Sequence, residues 1–167
     1  MRITSITVAF NPDPMRLLQQ LVALRDQVDE IIIIDNGSVP SVKSRLNQSG
    51  IAETLEGAAH IEIIALNENG GIASGFNVGV AAARRQGAEF VLLLDHDSVP
   101  AADMVTKLLT GYQQASGESA TGGVAAVGPR IVDSRDKHEY PIFVWAGFAI
   151  NTCVAPITAK NLLLAIF

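Results

Sequence analysis

Glu30-Ile31-Ile32-Ile33-Ile34-Asp35-Asn36-Gly37-Ser38 decides the fold. A strand with one wet face alternates apolar and polar side chains, whereas four isoleucines in succession leave no side for water. Such a run belongs to a parallel strand covered on both faces. Asn36-Gly37-Ser38 then ends it with turn-forming residues.

Upstream, the β-branched and apolar run from Ile3 to Phe10 predicts a strand, stopped at Asn11-Pro12-Asp13-Pro14 where two prolines end the ladder. Leu17, Leu18, Leu21, Val22, Leu24 and Val28 recur at helical spacing, with Arg16, Gln19, Gln20 and Asp26 between them. Downstream, Ser41 to Gln48 and Ala52 to Ala59 read as short helical pieces split by Ser49-Gly50, ahead of a third strand at Ile61 to Leu66. Ala73 to Gln86 is an Ala-rich helix running into Gly87 as C-cap, before a strand at Glu89 to Leu94. A helix from about Ala102 to Ala115, the Gly- and Ser-rich stretch Ser116 to Gly123 and a strand from about Val124 to Val132 complete the series. This alternation specifies an α/β sandwich with a mostly parallel sheet.

At 167 residues the chain is one domain, and 49% apolar against 17% charged residues gives it a core and excludes disorder. The net charge of −5 is not gathered into blocks, so no nucleic-acid partner is expected. Cys153 stands alone and no Cys or His pair has zinc spacing, which fits a reducing cytoplasm. Residues 1–14 lack the charged, apolar and small-residue pattern of a signal peptide, so a start in the cytoplasm is expected.

In parallel sheets ligands bind beyond the carboxyl ends of the strands. The first end, Phe10-Asn11-Pro12-Asp13, lacks the G-x-G-x-x-G turn of dinucleotide folds. Asp35 at the second end reads equally as an Asx turn or as a carboxylate for a base or ribose. The third end, Asn67 to Asn77, leads glycines and small residues into a helix; it reads as ordinary capping or as a loop that lets an anion approach free N–H groups. Asn77 favours the latter, as a polar amide in a helix otherwise rich in Ala and Val. The fourth end places Asp95 and Asp97 one residue apart, around His96. Two such carboxylates repel unless neutralised, and a hard divalent cation shared with substrate phosphates is the usual solution. Mg²⁺ or Mn²⁺ bridging a diphosphate is expected there, with helix capping by Asp97 or Ser98 before Pro100 compatible with it. His96 is expected to line the pocket as a neutral side chain, the hard cation favouring the carboxylates.

Taken in order, Val8-Ala9-Phe10-Asn11-Pro12, Ile34-Asp35-Asn36-Gly37-Ser38, Asn69-Gly70-Gly71-Ile72-Ala73 with Asn77, and Leu94-Asp95-His96-Asp97-Ser98 resemble the family 2 glycosyltransferases of the GT-A fold. Within them they resemble the bacterial rhamnosyltransferase-like branch, which builds cell-surface polysaccharides from dTDP-L-rhamnose. The resemblance implies a Rossmann-like three-layer α/β sandwich with a donor-binding domain over residues 1–133 and an incomplete acceptor-side region over 134–167. It implies nucleotide-sugar contacts at Phe10, Asn11, Asp35, Asn69, Gly70, Gly71, Ala73, Asn77 and Asp95, and a Mg²⁺ or Mn²⁺ site at Asp97 and Asp95. The implied activity is inverting, metal-dependent transfer from a nucleotide-diphospho-sugar to a saccharide or lipid-linked acceptor, in the cytoplasm or at the inner face of its membrane.

The family's general base is expected in a later segment, yet no acidic residue follows Glu139, and Asp133, Asp136 and Glu139 precede the expected position. The chain therefore reads as truncated or as a donor-binding remnant or interaction module. The uncharged stretch Ile142 to Ala159 reads as a membrane span, as a buried strand including Trp145 to Ile150 within a sheet, or as an apolar surface that packs on missing chain or a second subunit, with peripheral membrane association and a homodimer as the partner expectations. A phosphotransferase with Asp95 as nucleophile is the distant alternative, weakened because such enzymes carry their D-x-D after the first strand.

Overall fold

The computed structural model describes residues 1–49, 60–118, 124, 126–129, 142–146, 149–153 and 165–166. The strands β1 (Ile3–Ala9), β2 (Glu30–Asp35), β3 (His60–Ala65) and β4 (Phe90–Asp95) alternate with helices α1 (Pro14–Leu24), α2 (Val42–Gln48) and α3 (Ile72–Arg85), and α4 (Met104–Glu118) follows. A hairpin of β5 (Ile142–Ala146) and β6 (Ala149–Cys153) and a short β7 (Ala165–Ile166) complete the described elements. The main sheet has the order β3-β2-β1-β4-β7; its first four strands are parallel and β7 is antiparallel to β4.

The isoleucine run divides its side chains between two cores. Ile31 and Ile33 join Leu17, Leu21 and Leu24 of α1, Val42 and Leu46 of α2, and Val105 and Leu108 of α4. Ile32 and Ile34 join Ile6 and Val8 of β1 and Ala82 and Ala83 of α3 on the opposite face. The three layers follow directly from this alternation. Helix α3 lies close over β1 because two of its contact positions are glycines: a Cβ on Gly75 would come within 2.7 Å of Val8 Cγ1, and one on Gly79 would meet Ile6 Cγ2. This close approach sets the start of α3 above the carboxyl end of β1.

Two expectations are corrected. Val124 and residues 126–129 form no strand; Val127 instead buries itself in the α1-side core, and Pro129 lacks the N–H a ladder needs. The edge position beside β4 is taken by β7. The single strand expected to include Trp145 to Ile150 is instead two, β5 and β6, paired antiparallel in a sheet of their own with Trp145 opposite Ile150. The helical piece at 52–59 and the domain boundary near residue 133 lie outside the described residues. Among the described residues no helix is long and apolar enough to cross a membrane.

Candidate functional site

The register brings the strand ends level: Ala9 pairs with Asp35, Asp35 with Ala65, and Val8 with Asp95. Every segment that leaves the sheet here is tied to its neighbour.

The loop after β1 is bound to the loop after β2. Asn11, at φ 47, donates its N–H to Ser38 Oγ at 2.9 Å, and its amide oxygen accepts from Val39 N–H and from Arg45 Nη2, both at 3.0 Å. The Asp35 carboxylate is 2% exposed and accepts from Ser38 N–H at 2.9 Å and Val42 N–H at 2.8 Å. It closes an Asx turn and caps the first residue of α2 at once.

The loops after β2 and β3 are clamped by two asparagines. Buried Asn36 donates from Nδ2 to Asn69 Oδ1 at 2.9 Å and accepts from Gly70 N–H at 3.1 Å, while Gly71 N–H donates to the same Asn69 oxygen at 2.9 Å. Gly37, at φ 80, lets these loops touch: a Cβ there would lie 2.7 Å from Glu68 C and 2.8 Å from Asn69 N. Gly71 is the N-cap of α3 and provides no side-chain cap, so the first N–H groups of the helix have no side-chain acceptor at that position.

After β4, Asp95-His96-Asp97-Ser98 forms a turn, with Ser98 N–H donating to Asp95 O at 3.3 Å. Gln20 and Arg16 of α1 bond its backbone carbonyls. The carboxylates of Asp95 and Asp97 are exposed and have no hydrogen-bond or ion-pair partner among the described residues.

Between these loops opens a cleft of about 410 Å³ lined by Val8, Phe10, Asn36, Asn69, Gly71, Ile72, Asp95, His96 and Asp97. Of the residues expected at the site, it brings together Phe10, Asn69, Gly71, Asp95 and Asp97, with His96 between the last two. Asn11, Asp35 and Gly70 stand behind it in the loop bonds described above, and Ala73 and Asn77 sit exposed on α3 without lining it. Val8 and Asn36 were missed, whereas Ile72 falls inside the expected loop Asn69 to Ala73. Gln20 was missed as well, although positions 17, 20, 21 and 24 already form an apolar face with one amide in it.

Among the described residues, the two carboxylates held below their ordinary range lie elsewhere. Glu89 accepts hydrogen bonds first from the N-terminal ammonium group and then from Arg2 N–H, and Asp103 accepts one from Lys107. Neither lines the cleft.

Residues 5–153 match the family described as glycosyl transferase family 2. The chain belongs to that family. This family 2 chain is 25% identical over 140 residues to dTDP-rhamnosyl transferase RfbF of Shigella flexneri, a match covering 84% of the chain and 42% of that protein. It thus spans less than half the length of this curated relative. Its fold is also that of S. aureus TarS 1–349 in complex with UDP, at 17% identity and TM-score 0.50, over 79% of this chain and 42% of that one. The same structure in complex with UDP-GlcNAc matches at 17% identity and TM-score 0.50, over 79% and 40% of the two chains. The fold is the GT-A α/β sandwich expected from the sequence.

No group of three or more His, Cys, Asp or Glu residues gathers among the described residues of this family 2 chain. The donor set at the cleft is two carboxylates that no described residue engages. That fits Mg²⁺ or Mn²⁺, which takes one or two protein carboxylates and completes its shell with water and substrate phosphate oxygens.

Proposed function

We propose that this chain carries the donor site of an inverting, metal-dependent glycosyltransferase that uses dTDP-L-rhamnose, with a saccharide or lipid-linked acceptor of cell-surface polysaccharide. The carrying observation is the cleft itself: two carboxylates without a partner among the described residues share it with the side-chain-uncapped start of α3 and an exposed aromatic ring. The dTDP-rhamnosyl transferase name of the relative supports this donor.

Phe10, 44% exposed, offers a flat apolar face to the base. The N–H groups at the start of α3 and the positive end of its dipole attract the diphosphate. Asp95 and Asp97 hold the cation, which when bound neutralises charge on the departing nucleoside diphosphate. Val8 and Ile72 supply apolar wall that limits water around the sugar-phosphate bond. The acceptor hydroxyl attacks the anomeric carbon opposite the leaving group, and a base from outside the described cleft takes its proton. Peripheral membrane association or dimerisation through residues 142–159 belongs to the same reading and is tested by sedimentation with and without anionic vesicles.

Calorimetry with dTDP and UDP, with and without Mn²⁺, tests the site. Metal-dependent binding, tighter for dTDP and lost in Asp97→Ala, is the expected result. Binding indifferent both to metal and to Asp97→Ala overturns the assignment of the pair.

A further inference from the structure

The turn that carries the carboxylate pair is held from one face of α1. Gln20 is 0% exposed, and its amide nitrogen donates to Asp95 O and to Ser98 O, each at 2.6 Å. Its amide oxygen accepts from Thr7 Oγ1 of β1 at 2.8 Å. Because carbonyls only accept, the two of them fix which end of the amide is nitrogen, and the Thr7 hydroxyl secures the other end. Arg16, one helical turn earlier, donates from Nε to Asp97 O at 2.9 Å. Three of the four carbonyls in Asp95–Ser98 are therefore bonded to α1.

An apolar side chain at position 20 would satisfy the packing beside Leu17, Leu21 and Leu24. A buried amide is costly unless its hydrogen bonds are made, and here all three are made to or beside the turn. What the amide adds to packing is rigidity of a turn whose own closing bond is a long 3.3 Å. Rotation of the His96 or Asp97 peptide planes would carry the carboxylates with it, and the bonds from α1 oppose that rotation.

We infer that Gln20, assisted by Arg16, is a positioning residue that presents Asp95 and Asp97 to a divalent cation bound together with a nucleoside diphosphate. The inference rests on the reading of the cleft proposed above. It assigns to α1 a role that neither lines the cleft nor touches the ligand.

The test uses the full chain with Mn²⁺ and dTDP as probes and compares wild type with Gln20→Met and Arg16→Met. Electron paramagnetic resonance of free Mn²⁺ gives metal affinity in the presence of dTDP, calorimetry in chelator gives metal-free dTDP affinity, and hydrogen exchange at residues 95–99 reports the turn. Gln20→Met is expected to lose about tenfold or more in Mn²⁺ affinity, the usual effect of removing a group that orients metal ligands. Arg16→Met is expected to lose about threefold, the worth of one exposed hydrogen bond. Both should keep wild-type metal-free dTDP affinity and exchange faster at 95–99. A lowered Tm with wild-type Mn²⁺ affinity in the folded protein overturns the inference, because it would make Gln20 a packing residue only. If Gln20→Met does not fold, the exposed Arg16→Met decides, and unchanged Mn²⁺ affinity there overturns it. Absence of Mn²⁺-dependent binding in the wild type would instead overturn the reading of the cleft, and the inference with it.

Discussion

Replacing Asp35 separates two roles that a strand-end carboxylate can have. Its oxygens accept from Ser38 N–H and Val42 N–H, and the residue is 2% exposed. In Asp35→Ala the half-buried Ser38 N–H can turn to water, whereas the N–H of buried Val42 loses its acceptor inside the protein. Taking about 1 kcal/mol for the first and about 2–3 kcal/mol for the second, a charged acceptor lost from a buried donor, gives about 3–4 kcal/mol. Asp35→Asn keeps one acceptor oxygen and should cost about half as much. For a chain of this size each kcal/mol lowers Tm by about 2–4 °C, so the alanine variant should melt roughly 6–16 °C below wild type. Thermal denaturation followed by circular dichroism, with dTDP titrated into the folded variants, measures both quantities. A Tm within about 2 °C of wild type for Asp35→Ala would refute the capping argument. If dTDP affinity also fell at least tenfold, the carboxylate would be a ligand group instead.

Gly37→Ala should destabilise by about 2–4 kcal/mol, since it combines a positive φ with a Cβ driven into the Glu68–Asn69 backbone, while Gly71→Ala, at φ 83 with open space around it, should cost only about 1–2 kcal/mol; equal chemical-denaturation midpoints would contradict this. Phe10→Ala should leave Tm near wild type, because the ring is exposed, and weaken dTDP binding by about 0.5–1.5 kcal/mol, read by calorimetry. The Lys107 hydrogen bond holds the Asp103 carboxyl below its ordinary value, so the folded chain binds that proton more weakly than the unfolded chain. The stabilisation is present above the unfolded value and lost as pH falls through the lowered folded one. Asp103→Asn should therefore lower Tm slightly at neutral pH, where the contribution is present, leave it unchanged in acid where the contribution is already lost, and so flatten the acid side of the Tm-against-pH curve; an acid slope equal to wild type would contradict the assignment.

Residues 31–34 and the succession of apolar runs and turn residues carried the layer order and parallel sheet, because a side chain's face within a strand follows from position alone. The same local logic put Asp95 and Asp97 at a strand's carboxyl end. The edge of the sheet was not legible: whether Val124 and residues 126–129 pair as a strand depends on what already occupies the flank of β4, and Val127 packs into the core instead, residues 125 and 130–132 lying outside the described ones. Asp35 could be narrowed to two roles but not divided between them, since the N–H of Val42, seven residues away, meets it only after α2 has docked. Gln20 is the extreme case: its partners Thr7, Asp95 and Ser98 lie 13, 75 and 78 positions away. Periodicity announces which side chains go inside; which distant carbonyl a buried amide meets is settled only when helix and sheet close on each other.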